Sequence, residues 1–276
     1  MELINVYGSF TALIVIGYCL AQFASLNSSG LFTVVRYVFI PIILFKSLSQ
    51  GMPPKTLVIV LLTGIGVAAL GPLLMAKLGR YLNTSSPGNM LPNVAYFTIP
   101  MIGICFGAKG LGTASSFLLG VYLVQEGKNA SQIDIKKIVK EPILIAAILA
   151  FVVSYFKWKI PYLDKVMLPL FDASFVVIAL YLGCSLQKVD RMNMESMKSI
   201  GVQLAFGLLV ATTVISILGL KGIVAKSIML CALAPPGGSA ISEDSEEQET
   251  LSVLLCLLIM GLITLNGFEP WDFRFF

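Results

Sequence analysis

The chain contains no histidine. That single absence removes His-based triads, H-E-x-x-H zinc sites, His-ligated haem and histidine proton relays. Charge is scarce too: 12% of residues are charged and 57% are hydrophobic. A soluble domain carries about 25% charged and under about 50% apolar residues. So few charges cannot clothe a 276-residue globule in water, and most of the surface is expected to face lipid. The net charge of +4 is small and scattered, which argues against nucleic acid and reports loop charges instead. The five cysteines, Cys19, Cys105, Cys184, Cys231 and Cys256, lie inside apolar runs without C-x-x-C spacing. They read as small buried hydrophobes rather than disulfides or metal ligands. No basic stretch precedes the first apolar run, so Ile4–Phe23 reads as a spanning helix rather than a cleaved signal. Without a G-x-S-x-G elbow or an intramembrane acid pair, no enzyme is expected. Nor is any cofactor or metal.

What is there is a succession of apolar runs. A bilayer core needs about 20 apolar residues at about 1.5 Å each. The first five runs are Ile4–Phe23, Gly30–Leu48, Thr56–Leu78, Pro92–Gly107 and Leu111–Gln125. A lysine-rich linker, 126–141, carries Lys128, Lys136, Lys137 and Lys140. The pattern restarts with Pro142–Phe156, Tyr162–Leu186, Ser199–Leu220, a segment from Val224 through Pro235, and Leu251–Leu265. This predicts an all-α membrane protein of ten transmembrane helices, divided into a first repeat 1–125, the linker, a second repeat 142–265 and a tail 266–276. An odd number of spans per half inverts the second half relative to the first. The linker, together with Lys188, Arg191 and Lys198, is expected on the cytoplasmic side, with both termini outside. The protein is expected in a plasma or inner membrane.

Two of the runs are broken by proline, around Pro100 and Pro235, 135 residues apart and so at matched places in the two halves. Interrupted helices at corresponding positions point to the midplane site of a secondary transporter. A break frees backbone groups that cost several kcal/mol unless they are buried in protein or line a wet cavity. The free N–H groups and partial positive charge of a half-helix start favour an anion. The candidate substrate-binding set is Asn93, Pro100, Pro235, Pro236, Gly237 and Gly238. The run Pro235-Pro236-Gly237-Gly238 cannot continue a helix. The Asn93 carboxamide could orient a carboxylate, or it could serve as a helix cap. The alternative for both prolines is a plain kink.

These strings resemble the auxin efflux carrier family. Asn93 with Pro100 is similar to its fourth-helix motif, and Ala234-Pro-Pro-Gly-Gly-Ser-Ala-Ile-Ser242 to its proline-proline segment. Tyr37-Val-Phe-Ile-Pro41 and Leu170-Phe-Asp172-Ala-Ser174 look like its helix 2 and helix 7 signatures. The chain departs from the family at Ala95 and Thr98, where glycines are usual, and at Val176, where a proline is expected. The resemblance implies broken helices 4 and 9 crossing at the substrate. It also implies a scaffold of helices 1, 2, 6 and 7, and a homodimer through that scaffold. Family substrates include auxin and dicarboxylates.

Asp172, Tyr37 and Arg36 form a second group, of coupling or structural residues. The 135-residue offset places Tyr37 opposite Asp172. A charge at mid-bilayer costs about 2.5–3.5 kcal/mol and so faces a cavity or a partner. This suits Asp172 to proton or structural coupling, whereas Arg36, near its helix start, could snorkel. The acidic run Glu243, Asp244, Glu246, Glu247 and Glu249 reads as a solvated loop rather than a cation shell. The leading expectation is a permease or efflux carrier moving a small organic anion by alternating access, with proton or sodium coupling. The alternatives are a sodium-coupled symporter of the bile-acid type, or a membrane scaffold or sensor that does not transport.

Overall fold

Proline shapes the two most unusual turns of the molecule. The sequence Val35-Arg-Tyr-Val-Phe-Ile-Pro41 returns as Val94-Ala-Tyr-Phe-Thr-Ile-Pro100, a V-x-Y-x-x-I-P pattern. Both copies form a π-turn ending just before the isoleucine, Val35–Phe39 and Val94–Thr98. In the first, the Ile40 N–H donates to the Val35 carbonyl; in the second, the Ile99 N–H donates to the Val94 carbonyl. Proline has no N–H to offer the carbonyl four residues back, and its ring crowds that carbonyl. A widened i→i+5 turn relieves the crowding, and such turns recur at functional sites.

The computed structural model describes residues 2–82, 91–129, 141–158, 161–186, 194–234 and 236–237. Helix α1 is Glu2–Ala24. Helix α2, Ser28–Val34, is capped by Asn27, whose side chain accepts the Ser29 N–H at 2.9 Å. It runs through the first π-turn into α3, Ile40–Ser49, and α4 follows at Pro54–Leu82. Strand β1, Leu91–Pro92, leads into the second π-turn and α5, Ile99–Asn129. Then come α6 (Pro142–Phe156), α7 (Pro161–Ser185), α8 (Met194–Leu218), α9 (Gly222–Ala232) and strand β2, Pro236–Gly237. Helix α5 is bent at Gly107, whose φ of 59° and ψ of −151° are non-helical. Only glycine takes that conformation cheaply.

Helix α1 packs on α7, α3 on α6, α4 on α5, and α9 on α5 and α8. The core between them is apolar, with Phe10, Ile43, Leu44, Ile102, Phe117 and Ile178 fully buried. A hydroxyl pair joins α3 to α5, Ser47 Oγ to Ser115 Oγ at 2.6 Å. The outer faces are apolar as well: Leu62, Leu73, Leu209 and Ile217 stand exposed. A face of that kind suits hydrocarbon rather than water. Three helical stretches are long and apolar enough to cross a bilayer, Ser28–Ser49, Pro54–Leu73 and Lys165–Ser185. The chain is a multi-pass integral membrane protein.

This architecture corrects the sequence reading. The described residues form nine α-helices, three stretches of which qualify as spans, and not ten spans in two inverted five-helix repeats. The resemblance to auxin efflux carriers, which implied that ten-helix plan, falls with it. The second, third and seventh apolar runs did become the three full-length stretches. The fourth and fifth runs meet at a kink: Gly107, the last residue of the fourth, is non-helical, with helical backbone on either side of it. The sixth run is a helix of 15 residues and α9 one of 11. At about 1.5 Å per residue, both fall short of a bilayer core of about 30 Å. The tenth run, Leu251–Leu265, lies outside the described residues, as do the acidic run and the tail.

Candidate functional site

The two proline-broken segments meet. Strand β1 pairs with β2 antiparallel, setting Leu91 opposite Gly237 and Pro92 opposite Pro236. The chain enters this crossing from opposite kinds of helix end. On one side, Asn93 caps the π-turn that opens into α5, its side-chain oxygen accepting the Tyr96 N–H at 3.1 Å. On the other side α9 ends, its last turn closed by the Leu233 N–H donating to the Met229 carbonyl and the Ala234 N–H to the Cys231 carbonyl. A partly positive helix start therefore faces a partly negative helix end across the crossing. Pro235 and Gly238 lie outside the described residues, and so does any half-helix that follows them.

The crossing is shielded. Leu91, Asn93, Val94, Phe97 and Thr98 are all buried, and Asn93 is 4% exposed. Pro100 is buried in the first turn of α5, where its fixed φ and missing N–H suit a helix start. The structure thus brings together Asn93, Pro236 and Gly237, with Pro100 two turns along. Removing the Asn93 carboxamide takes away a cap bond, which costs about 0.5–2 kcal/mol. Asn93→Ala is expected to lower the thermal stability of the purified protein by that amount. A loss of anion affinity of about 1–3 kcal/mol on top would show that the carboxamide also serves a ligand. Unchanged affinity would leave it a cap alone.

The second predicted group divides. Asp172 is exposed on α7 and makes no hydrogen bond or ion pair among the described residues. Tyr37 is also exposed, and its ring lies 5.7 Å from the Arg36 guanidinium. Arg36 does not merely snorkel. Its Nη2 lies 3.8 Å from Glu141 Oε2, both side chains being about a quarter exposed at 23% and 24%. Arg36 is also within electrostatic reach of Tyr96 and Tyr122.

Several members of this neighbourhood escaped the sequence reading. Tyr96 lies on the crossing through its backbone, and its ring packs against Phe32 of α2 at 5.7 Å and Tyr181 of α7 at 5.3 Å. Phe32 and Tyr181 close the triangle at 5.8 Å. Offset and tilted rings at these separations attract beyond their buried area. Tyr122 of α5 and Glu141, just ahead of α6, complete the polar side. The V-x-Y-x-x-I-P repeat held the signal for Tyr96, since it marks both tyrosines as equivalent. Glu141 closes the lysine-rich linker in sequence, which hid its partnership with Arg36. The chain matches no model of a known protein family, and no curated protein matches it.

Proposed function

We propose that this protein is a carrier that moves a small organic anion across the bilayer by alternating access. The observation that carries this reading is the antiparallel crossing of Leu91–Pro92, both buried, with Pro236–Gly237. Irregular backbone at membrane depth survives only where protein or a wet cavity satisfies it. Here it sits beside a capped helix start, the arrangement that receives negative charge. The Arg36 guanidinium supplies a full positive charge nearby, reached through Tyr96. The rings of Phe32, Tyr96 and Tyr181 offer an apolar wall to the body of an organic acid.

The test is uptake of labelled monocarboxylates and dicarboxylates into proteoliposomes holding the full chain. Saturable uptake above protein-free vesicles supports the carrier, and uptake equal to protein-free vesicles for every acid retires it in favour of a scaffold or sensor. Replacing sodium by potassium in the same vesicles decides whether sodium is the coupling ion. Because Asp172 stands exposed without a partner among the described residues, Asp172→Asn is expected to leave the pH profile of uptake unchanged. A pH dependence lost in that variant would return Asp172 to a coupling role.

A further inference from the structure

Arg36, Tyr122 and Glu141 come together without completing one another. The Arg36–Glu141 separation of 3.8 Å makes an ion pair but exceeds hydrogen-bond distance. Glu141 Oε2 is shielded from solvent and has no hydrogen-bond partner among the described residues. The same holds for the hydroxyl of Tyr122, a side chain only 5% exposed. The Tyr122 hydroxyl nonetheless approaches Glu141 closely enough for a long, poorly aligned hydrogen bond, and Arg36 lies within its electrostatic reach. Glu141 occupies the cap position of α6, but its carboxylate makes no capping bond; it serves Arg36 instead. A shielded hydroxyl and a shielded carboxylate oxygen that complete no well-aligned hydrogen bond carry an uncompensated desolvation cost. A guest atom between them would recover that cost.

We propose that Arg36, Tyr122 and Glu141 form a carboxylate-binding site that opens when Glu141 takes up a proton. With Glu141 ionised, its charge occupies Arg36 and repels a second carboxylate. A proton delivered from the aqueous phase to Oε2 removes that charge and leaves the guanidinium unneutralised. It also turns the Glu141 carboxyl from an acceptor into a donor. An organic acid anion then takes the vacated place, accepting from Arg36, from the Tyr122 hydroxyl and from protonated Glu141. Charge balances at each stage: the cluster goes from neutral to +1 with the proton and back to neutral with the anion. Glu141 is faced by Arg36 on the first π-turn and by Tyr122 on α5; Arg36 in turn interacts with Tyr37 and with Tyr96 on the second π-turn, and Tyr122 with Glu126. Of these, Arg36 alone is cationic, so the gain of anion affinity on protonation falls on it. Tyr96 links the cluster to the crossing, its backbone bonded to Asn93 and its side chain within electrostatic reach of Arg36. The inference rests on the carrier reading only in taking a small organic acid as the ligand.

The experiment is equilibrium binding of labelled benzoate to the full chain in lipid nanodiscs between pH 5 and 8. Benzoate suits the neighbouring aromatic wall and stays ionised across that range; butyrate serves as the aliphatic comparison. Wild-type affinity is expected to rise about tenfold per pH unit on acidification, the slope of one coupled proton. Glu141→Gln, a neutral mimic of the protonated acid, is expected to bind without pH dependence and at least as tightly as wild type does at pH 5. Tyr122→Phe is expected to weaken binding about fivefold, and Arg36→Gln by about tenfold or more, at every pH. Glu126→Gln is expected to keep the wild-type slope. A Glu141→Gln protein that retains the pH slope would overturn the site, and so would the absence of binding of both acids at every pH. If Arg36→Gln does not fold, Glu141→Gln and Tyr122→Phe decide. pH-dependent binding without uptake in proteoliposomes would overturn the carrier and leave this site standing. Saturable uptake with no pH dependence would do the reverse.

Discussion

A protein carrying Leu91→Cys and Gly237→Cys, with its native cysteines replaced, is expected to close a disulfide almost completely under mild oxidation. Directly opposed residues of an antiparallel pair have Cα atoms about 4.5–5.5 Å apart. A disulfide needs about 4.4–6.8 Å, and Leu91 and Gly237 are opposed in this way. Protease digestion followed by mass spectrometry should find the two peptides joined, and either single-cysteine protein should give no such species. The functional consequence is larger than the structural one. Alternating access requires the elements around the ligand to rearrange, and a covalent link between the two broken segments ties them together. Uptake should therefore fall to the level of protein-free vesicles on oxidation and recover when reductant is added. Failure to cross-link would remove the β1–β2 pairing. Cross-linking with uptake intact would show that the crossing travels as one body, and the moving boundary would have to lie elsewhere.

The parts of this molecule that could be read in the sequence are those set by composition and by proline. Long uninterrupted apolar runs gave Ser28–Ser49, Pro54–Leu73 and Lys165–Ser185 their place in the membrane, because twenty apolar residues in succession have few other stable environments. The irregular backbone on either side of Asn93 and Pro236 was equally legible, since the prolines and glycines there forbid a regular helix. The number of spans was not. Apolar runs mark where lipid or core is acceptable, but they do not say how much of each run becomes helix. The boundary read at Gly107 is a kink between two helical stretches, whereas the sixth run and α9 are too short to span. The polar cluster was hidden for a different reason. Arg36 and Glu141 are more than a hundred positions apart, and the packing of α3 on α6 brings them together. No local pattern around either residue encodes that meeting.

Two glycines two positions apart on α4 should respond oppositely to the same substitution. A Cβ built on Gly64 would run into the backbone carbonyl of Phe117 on α5, whereas one built on Gly66 meets nothing within 4 Å. The reciprocal contact is present too: a Cβ on Gly120 would strike the Leu61 carbonyl and come within 2.9 Å of the Ile65 nitrogen. Helices α4 and α5 therefore approach backbone to backbone, the way small residues let membrane helices associate through dispersion where water gives no push. Backbone cannot rotate aside as a flexible side chain can, so Gly64→Ala must separate the helices or bend one of them. Overpacking of this kind costs about 1–3 kcal/mol, occasionally more. At about 2–4 °C per kcal/mol for a chain of this size, the apparent melting temperature in detergent should fall by roughly 2–12 °C. Gly66→Ala should leave it unchanged or raise it slightly, because alanine is favoured over glycine inside a helix by about 1 kcal/mol. Gly120→Val, which adds three carbons against the same carbonyl, should leave little folded protein to recover. Equal melting temperatures for Gly64→Ala and Gly66→Ala would mean that α4 and α5 are not held at this distance. The frame that positions the second π-turn at the start of α5 would then be looser than the packing described here requires.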